Sequence, residues 1–326
     1  MRVLHIINGE HYSGAERVQD LIALGLANAG VECSFATLKK GRFSQFRASS
    51  SELHDFSMRT RLDFRQALLL ADHAKKGNFC AIHSHTPRSA MLAGVVRMFT
   101  RLPHFHHGHS PTRDDSSRTA MNIVNAAVER RAIAGCSHLF AVSQRMVEYF
   151  TSMGIDRSRV SLVENGVPYR PEVLSLRPPT PGVPVRVGMS ALFRPRKGLE
   201  TALRALASLK RNGQHATFMG IGPFETEEYR SQIMRLVCAL GVEQEVKWTG
   251  FTTEVFAELA ELDVFWFPSL YGEGLPMALI EAMSIGLPCI GSDIEGVRGP
   301  LGGGNGVLVS VGDAESLADA TRALWT

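Results

Sequence analysis

Short apolar stretches alternate with amphipathic stretches twice along this chain of 326 residues, and a proline-rich segment separates the two series. The first series opens with VLHII at residues 3–7, which is typical of a buried strand, and continues with helical spacing from Ala15 to Ala29. The second opens with VRVGMS at residues 185–190 and a helical stretch from Leu199 to Leu209. This alternation predicts parallel sheets that are covered by helices on both faces.

The proline-rich segment at residues 171–184 holds five prolines and a glycine, so it cannot continue a helix or a central strand. We therefore predict a linker there, between an N-terminal domain at 1–170 and a C-terminal domain at 185–326. The predicted fold class is α/β, with two Rossmann-like, doubly wound parallel-sheet domains. Ligands of such sheets bind beyond the carboxyl ends of the strands, so we expect the two domains to face a central cleft that holds the site.

Composition narrows the class of protein further. Hydrophobic residues make up 44% of the chain and charged residues 21%, which excludes collagen, coiled coils and bulk disorder. The five cysteines lie far apart, without a CxxC motif, which argues against a disulfide framework or a structural zinc site. No apolar run approaches the roughly 18 residues of a membrane span. We expect a cytoplasmic protein.

The charge is divided unevenly between the two predicted domains. Residues 1–170 hold 22 Lys and Arg against 14 Asp and Glu, whereas the rest of the chain holds 13 against 18. A basic N-terminal half favours an anionic partner, such as a phosphate-bearing substrate, a membrane surface or nucleic acid. Solvated surfaces that merely differ in charge explain the same numbers. The motifs must therefore decide between these two interpretations.

The most specific motif is GEGLPMALIEAMSIGLP at residues 272–288. Glu273 falls in a loop after a predicted strand, Gly274 and Pro276 open a predicted helix at 275–285, and Glu281 lies about two turns into it. A helix N-terminus attracts phosphate, and glycine allows a close approach. A carboxylate further along can accept hydrogen bonds from sugar hydroxyls. Two glutamates at this spacing occur by chance when they stand alone. Within a loop and helix that Gly274 and Pro276 open between two predicted strands, they indicate a binding site.

Two other strand-to-helix loops have features that suit phosphate. LFRPRKGLE at residues 192–200 clusters Arg194, Arg196 and Lys197 before a helix, which indicates a phosphate clamp or a solvated basic loop. NGEHYSGAER at residues 8–17 turns into a helix near Gly14 and could cradle a phosphate. It does not match GxGxxG, which argues against a dehydrogenase.

Histidines cluster at the predicted ends of two neighbouring strands. His83 and His85 end one strand, and HFHHGHS at residues 104–110 follows along the next. Such histidines can bind a metal, act as acid or base, or hydrogen-bond a substrate. Because no glutamate or cysteine in the segment completes a ligand set, catalysis or sugar binding ranks ahead of metal. Strand alternation puts His104 and His106 together on one face, where they are alternatively satisfied core histidines.

Taken together, these motifs resemble the GT-B retaining glycosyltransferases of family 4 from Met1 to about Ala323. The matching pieces stand in the family's order: SGAER, IHSH, HHGH, AVS, VENGV, the RKG turn, GIGP, VKWTG and the E-x7-E pair at 273 and 281. The E-x7-E pair, the NG turn and the RKG turn are specific only in combination. The resemblance implies a hexosyltransferase-like enzyme that uses a nucleotide sugar, with the donor in the C-terminal domain and the acceptor in the N-terminal domain.

The resemblance also implies roles for individual residues. Lys197, with Arg194 or Arg196, would hold the diphosphate, and Glu281 would bind the ribose. Glu273 would contact the donor sugar, and the Gly274 and Leu275 amides would approach sugar or phosphate. In the same way, the turn containing Gly222 would line the base and phosphate pocket, Gly14 would face the diphosphate, and His107 would lie beside the transferring carbon, with His109 as the competing assignment.

The chain departs from the family pattern in two places. An arginine usually follows the first strand of the C-terminal domain, but SALF at residues 190–193 stands there, so Arg194 or Arg196 would have to replace it. Family members also usually continue past the point where this sequence ends, at Thr326, with a helix that returns to the N-terminal domain. Both departures favour an alternative class, a non-catalytic glycosyltransferase-like subunit that binds a partner.

The function that these motifs favour is retaining sugar transfer to a hydroxyl of a glycan or lipid-linked acceptor, in bacterial surface polysaccharide or glycoconjugate synthesis. The family implies a UDP- or GDP-linked donor as co-substrate and no resident cofactor. We expect no metal, because no DxD motif follows a predicted strand. An epimerase of GT-B fold is the alternative enzyme.

Arginines at 88, 97 and 101 around an apolar stretch suggest peripheral contact with the inner face of the membrane, or a buried helix with surface arginines. Nucleic acid is not an expected partner.

Overall fold

The first apolar stretch of the chain forms strand β1 (Arg2–Ile7), which is buried from Leu4 onward inside a parallel sheet. The structure is a computed structural model that describes residues 1–60, 63–111, 119–173, 180 and 182–325. The chain divides into a first unit, Met1–Asn165, and a second unit, Gly166–Thr326. Each unit is built around its own parallel sheet.

The first unit has a seven-stranded sheet in the order β3-β2-β1-β4-β5-β6-β7, and all its strand pairs are parallel. Its other strands are β2 (Glu32–Thr37), β3 (Glu52–Asp55), β4 (Ala81–Ser84), β5 (His104–Gly108), β6 (His138–Ala141) and β7 (Val160–Leu162). Its helices are α1 (Gly14–Asn28), α2 (Arg42–Phe46), α3 (Arg65–Lys76), α4 (Pro87–Thr100), α5 (Thr119–Ile133) and α6 (Gln144–Ser152).

The second unit has a six-stranded parallel sheet in the order β10-β9-β8-β11-β12-β13. Its strands are β8 (Val185–Ser190), β9 (Ala216–Ile221), β10 (Val246–Gly250), β11 (Val264–Phe267), β12 (Cys289–Ser292) and β13 (Val307–Val309). Its helices are α7 (Leu199–Arg211), α8 (Glu227–Leu240), α9 (Val255–Ala260), α10 (Met277–Ser284), α11 (Glu295–Leu301) and α12 (Ala314–Trp325).

Apolar side chains from strands and helices meet on both faces of each sheet. In the second unit, Val187 and Trp266 from the sheet pack with Leu203 of α7 in one buried cluster. The Trp266 indole Nε1 also donates a hydrogen bond of 2.9 Å to Thr321 Oγ1, which fixes α12 on the sheet. Burial of each such aliphatic side chain contributes about 1.5–3 kcal/mol, so the parallel strands can be almost wholly apolar.

The α/β class and the two Rossmann-like domains expected from the sequence are confirmed. The sequence reading did not place seven elements: β3, α2, α6, β7, α9, α11 and α12. The helix α11 contains Gly296, Gly299 and Pro300, whose low helix propensity is the reason that the sequence does not predict it. Of the predicted linker, 174–179 and 181 lie outside the described residues, and Pro171–Val173 form a 3-10 turn. Among the helices that the structure describes, none is long and apolar enough to cross a membrane.

Candidate functional site

The basic loop after β8 forms a tight turn whose shape requires a glycine. Pro195–Lys197 form a 3-10 turn, and Gly198 follows at φ +70°, a left-handed conformation that side chains disfavour. A Cβ on Gly198 would lie 1.9 Å from the carbonyl oxygen of Pro268, after β11. The turn thereby sits directly against the loop that carries Glu273. The Leu270 N–H completes this contact by donating 2.8 Å to the Arg196 carbonyl oxygen.

Glu273 gathers three donors around one carboxylate oxygen. Its Oε1 lies 2.6 Å from Lys197 Nζ, 3.2 Å from Arg196 Nη1 and 2.9 Å from Ser269 Oγ. Arg196 Nη1 is also 3.2 Å and 3.0 Å from the carbonyl oxygens of Tyr271 and Gly272. Glu273 and Arg196 are buried, and only 14% of the Lys197 side chain is exposed. The structure therefore brings Arg196, Lys197 and Glu273 together, as a group that we call the Glu273 cluster, with Ser269 as its fourth member.

The Glu273 cluster holds more positive than negative charge. Burial alone would raise the pKa of Glu273, but the charges of Lys197 and Arg196 outweigh burial and lower that pKa, so the carboxylate is ionised at neutral pH. Burial lowers the pKa of Lys197, and the neighbouring Glu273 charge partly offsets that effect. Two cations with one carboxylate leave one positive charge in a buried place. Such a place suits an anion.

The third cation of the loop points elsewhere. Arg194 Nη1 lies 3.4 Å from Glu225 Oε1, and this pair is partly exposed to solvent. Among the residues that the structure describes, the buried Nε atoms of Arg194 and Arg196 have no hydrogen-bond partner. Buried N–H donors are normally satisfied, so both Nε–H groups are available to an acceptor such as a phosphate oxygen.

The helix of the E-x7-E motif is shorter than expected. The sequence predicts a helix at 275–285, whereas α10 begins at Met277 after Pro276. Glu281 is therefore the fifth residue of α10, only just into the second turn, and its side chain is buried. Gly274 is buried in the loop before the helix, and Leu275 is partly exposed. Pro276 lacks an N–H and disfavours helical geometry at Leu275, which explains the late start.

The two predicted glycines outside this motif differ in their surroundings. Gly222 has a φ of +123°, and a Cβ there would lie 2.1 Å from the Ala191 carbonyl oxygen, so only glycine fits the turn after β9. Gly14 is the first residue of α1 and has open space where a Cβ would stand. The fold therefore requires Gly222 but does not require Gly14.

His104 and His106 are satisfied core histidines. Both are buried on one face of β5, and Ser84 Oγ lies between them, 2.7 Å from His104 Nε2 and 2.9 Å from His106 Nδ1. Cys136 Sγ lies 3.3 Å from His104 Nδ1 on the other side. These contacts join β5 to the neighbouring β4 and to the residues just before β6.

His107 and His109 lie apart from His104 and His106, at the carboxyl end of β5. Their rings stack with centroids 4.6 Å apart, and burial lowers the pKa of His107 to about 4. The pKa of His109 lies well below its usual 6.5, because of burial and of the neighbouring His107. Both imidazoles are therefore neutral at pH 7. Among the described residues, neither nitrogen of His107 has a hydrogen-bond partner.

Sequence reasoning missed two residues that the structure adds to these groups. His5 lies opposite His83 in the register of β1 and β4, and its Nδ1 is 3.0 Å from His85 Nε2. Ser269 joins the Glu273 cluster from four residues upstream. A polar residue in an otherwise apolar strand was the available signal for His5. Three-histidine groups, His5 with His83 and His85, and His85 with His107 and His109, could hold a metal ion.

Comparison with known proteins agrees with this architecture. Residues 12–170 match the family model described as Glycosyltransferase Family 4, and residues 184–326 match the model described as Glycosyl transferases group 1. Both are halves of the GT-B fold, and together they cover nearly the whole chain. The chain therefore belongs to the GT-B glycosyltransferases of family 4, as its motifs indicated.

Two curated relatives illustrate the similarity. The chain is 27% identical to the phosphatidyl-myo-inositol mannosyltransferase of Mycobacterium leprae over 76% of its length and 64% of that protein. It is 34% identical to the putative colanic acid biosynthesis glycosyltransferase WcaL of Salmonella typhimurium over 42% of its length and 35% of that protein. The matches thus span less than two thirds of the length of these relatives.

Solved structures share the fold at low sequence identity. HepE of Anabaena, in complex with UDP and glucose, superposes with a TM-score of 0.85 at 19% identity, over 99% of this chain and 89% of that one. The lipopolysaccharide outer core galactosyltransferase WaaB, in its apo form, gives a TM-score of 0.72 at 20% identity, over 99% and 90%. Identities this low establish the fold alone.

Proposed function

We propose that this chain transfers a sugar, with retention of anomeric configuration and without a metal ion, from a UDP- or GDP-linked donor to a hydroxyl of a glycan or lipid-linked acceptor. The product would be a bacterial surface polysaccharide or glycolipid. Curated relatives are named for colanic acid synthesis and for mannosyl transfer to phosphatidyl-myo-inositol. A solved structure of the same fold holds UDP-glucose.

The observation that carries this proposal is the Glu273 cluster. A diphosphate leaving group needs fixed positive charge at the place where its own charge develops. Arg196 and Lys197 lie within 3.2 Å of one buried carboxylate oxygen, which holds both cations in place before any donor arrives. Such preorganisation costs no rearrangement during the reaction.

The proposed reaction breaks the bond between the anomeric carbon and the diphosphate oxygen and forms a bond from that carbon to the acceptor oxygen. The acceptor hydroxyl attacks from the face that the leaving group departs, and its proton passes to the leaving phosphate. The nucleoside diphosphate then leaves. Lys197 and Arg196 stabilise the negative charge on the diphosphate, and exclusion of water limits hydrolysis of the donor.

Other residues take positions in this scheme by resemblance to the family. His107 approaches the transferring carbon as a neutral imidazole, which can donate or accept a hydrogen bond but carries no charge; His109 is the alternative in that role. Glu273 contacts the donor sugar, and Glu281 binds the ribose. The Gly274 and Leu275 amides approach the sugar or phosphate, Gly222 lines the pocket and Gly14 faces the diphosphate.

A product assay tests the proposal. The purified protein is incubated with each common UDP- and GDP-linked sugar and a mixture of lipid-linked and soluble glycan acceptors, with and without a chelator. We expect one nucleoside diphosphate released for each sugar transferred, at a rate that the chelator does not lower. Nuclear magnetic resonance of the product should show the anomeric configuration of the donor. Inverted configuration or a rate that the chelator lowers would contradict the mechanism.

The same assay separates the alternatives. A GT-B epimerase would change the donor sugar in the absence of any acceptor. A non-catalytic subunit would neither bind nor consume a nucleotide sugar.

A separate observation supports contact with a membrane surface. Met98 and Phe99, at the end of α4, are exposed by 79% and 51%, and the exposed Arg97 and Arg101 flank them. The neighbouring α3, which packs beside α4, exposes Leu68 and Leu69 on its surface as well. Apolar side chains bordered by cations fit the interface of an anionic bilayer.

Vesicle flotation tests this contact. Wild type should float with vesicles that contain phosphatidylglycerol, and an Arg97→Ser/Arg101→Ser double variant should float less. An Arg130→Ser/Arg131→Ser double variant on α5 serves as a control with the same change in charge. No flotation of the wild type would exclude the contact.

A further inference from the structure

Five histidines from three adjacent strands meet at the carboxyl end of the first sheet. Ring centroids are 4.8 Å apart for His5 and His83, 4.2 Å for His83 and His85, and 4.6 Å for His107 and His109. All are buried except His109, which is partly exposed. The proposed reaction uses one of these histidines to contact the sugar, so the other four have no role in it.

Three of these rings have the spacing of metal ligands. One ring nitrogen each from His85, His107 and His109 lies within 4.8 Å of the other two. His85 Nδ1 and His109 Nε2 are 3.3 Å apart. A tetrahedral zinc ion with Zn–N bonds of about 2.0–2.1 Å separates two ligand nitrogens by about 3.3 Å. His85 and His109 already have this separation, in a hydrogen bond that the ion would replace, and a His107 nitrogen lies within 4.8 Å of both.

The polar atoms of this triad are incompletely satisfied. In the part of the chain that the structure describes, both nitrogens of His107 and Nδ1 of His109 are buried without a hydrogen-bond partner. His107 itself is only 2% exposed. Buried polar atoms in native proteins nearly always have a partner, so these lone pairs call for one.

His85 has the outer partner that metal-binding histidines usually have. Its Nε2 lies 3.0 Å from His5 Nδ1, which leaves Nδ1 directed toward His109. Such a second contact fixes the ring orientation and the tautomer of a ligand. The turn between β4 and α4 holds His85 as well, because its N–H donates 2.9 Å to Ser89 Oγ.

We propose that His85, His107 and His109 bind one divalent transition-metal ion, of which Zn²⁺ is the best match to three imidazoles, with a fourth position left for water. The partly exposed His109 provides the path of entry. The rival group of His5, His83 and His85 has three buried rings, so it lacks a partly exposed ligand through which an ion can enter.

This site has a consequence that rests on the proposed function. A zinc ion bound to His107 occupies the side chain that we place beside the transferring carbon. Zinc and sugar transfer therefore compete, and the ion acts as an inhibitor rather than as part of the reaction. The proposed reaction needs no metal, and His107 can still bind one, because the ion would only inhibit the reaction.

Metal titration tests the site without any assay of activity. Chelator-washed protein, purified without a polyhistidine tag, is titrated with Co²⁺, and Zn²⁺ is then used to displace it. We expect one Co²⁺ per chain, with the visible absorption of a tetrahedral complex. His109→Gln should weaken binding at least tenfold, and His5→Gln should weaken it by about tenfold, as loss of an outer partner does.

Two exposed histidines supply matched controls. His11→Gln and His215→Gln should bind Co²⁺ like the wild type. The test rests on His109→Gln because His109 is the least buried of the three ligands, and circular dichroism checks that this variant folds. Absence of the tetrahedral spectrum, or equal weakening by a control variant, would overturn the site. Loss with His83→Gln but not with His109→Gln would assign the ion to the rival group.

Competition has its own readout. The inhibition constant of Zn²⁺ for sugar transfer, extrapolated to zero donor, should equal its dissociation constant from the displacement of Co²⁺. Stoichiometric binding with unchanged turnover would leave the metal site standing and overturn the competition. A protein that binds zinc but transfers no sugar would contradict the proposed function alone.

Discussion

Lys197 Nζ lies 2.6 Å from Glu273 Oε1, and both side chains are largely buried. The two residues come from different loops, after β8 and after β11, strands that are neighbours in the sheet. The sheet order, together with the glycine turn at Gly198, brings them into contact. This pair connects the two most specific motifs of the sequence in one cluster of charge.

Loss of the Glu273 charge should destabilise the second unit. Glu273→Gln leaves Arg196 and Lys197 buried without a counter-charge, and breaking a buried pair in this way costs about 3 kcal/mol or more. Glu225→Gln is the matched control, because its partner Arg194 is partly exposed and such pairs contribute about 0–1 kcal/mol. Urea denaturation measures both. Equal small effects would show that the Glu273 cluster does not hold the loops together.

Arg196 and Arg194 should differ in their effect on nucleotide binding. Arg196→Lys keeps the charge but loses the planar fork that contacts the Glu273 loop, so the Kd of the nucleoside diphosphate should rise about tenfold or more. Arg194→Lys should change it less than threefold, because Arg194 is directed toward Glu225. Calorimetric titration gives both constants. A larger effect at Arg194 would assign that residue as the replacement for the family's usual arginine.

Gly14→Ala separates a role in binding from a role in folding. A Cβ there meets no atom within 4 Å, so the midpoint of thermal unfolding should not fall. If a diphosphate approaches the start of α1, the methyl group obstructs it, and the KM for the donor should rise at least threefold. Gly25→Ala, also in α1 and also in open space, is the control. An unchanged KM in Gly14→Ala would remove Gly14 from the donor site.

Glu16 should make stability fall as the pH rises. Burial raises the pKa of Glu16 from 4.5 to about 7, against the hydrogen bonds that its own N–H and Ser13 supply. Between these values the folded state binds more protons than the unfolded state, so the free energy of unfolding decreases with increasing pH. The total decrease, complete above about pH 7, is on the order of 3 kcal/mol.

Glu16→Gln removes this dependence. The variant should gain stability relative to wild type as the pH rises from 4.5 to 7. Other groups, the buried histidines included, titrate alike in both proteins, so their effect cancels in the difference between the two free energies of unfolding. Glu148→Gln, an exposed site on α6, should show no such trend. Chemical denaturation at several pH values measures the difference. A constant difference between Glu16→Gln and wild type would mean that Glu16 is ionised in the folded protein.

Much of the fold follows from the sequence because parallel strands buried on both faces are nearly all apolar. VRVGMS and ATFMGI thus predict β8 and β9 within the bounds that the structure has. The edge strand β3 reads ELHD and is not fully buried, so it lacks that signature. Helix α11 is held by its contacts with the sheet rather than by its composition.

The candidate site is less accessible to sequence reasoning, because it depends on register and turn geometry. The sequence leaves Arg194 and Arg196 equivalent; the 3-10 turn at Pro195–Lys197 directs one toward Glu273 and the other toward Glu225. His5 reaches His85 only because β1 and β4 are neighbours. Motif spacing within one segment cannot reveal such contacts between segments.

The central claim, that the Glu273 cluster receives the diphosphate of a nucleotide sugar, is tested most directly by calorimetric titration with UDP, GDP and their sugar conjugates. Wild type, Lys197→Ala and the exposed-site control Lys247→Ala are compared. We predict that UDP or GDP binds wild type and Lys247→Ala alike and binds Lys197→Ala at least tenfold more weakly, in keeping with a lost charge-assisted hydrogen bond. Equal affinity in all three proteins, or no binding of any nucleotide at millimolar concentration, would contradict the claim.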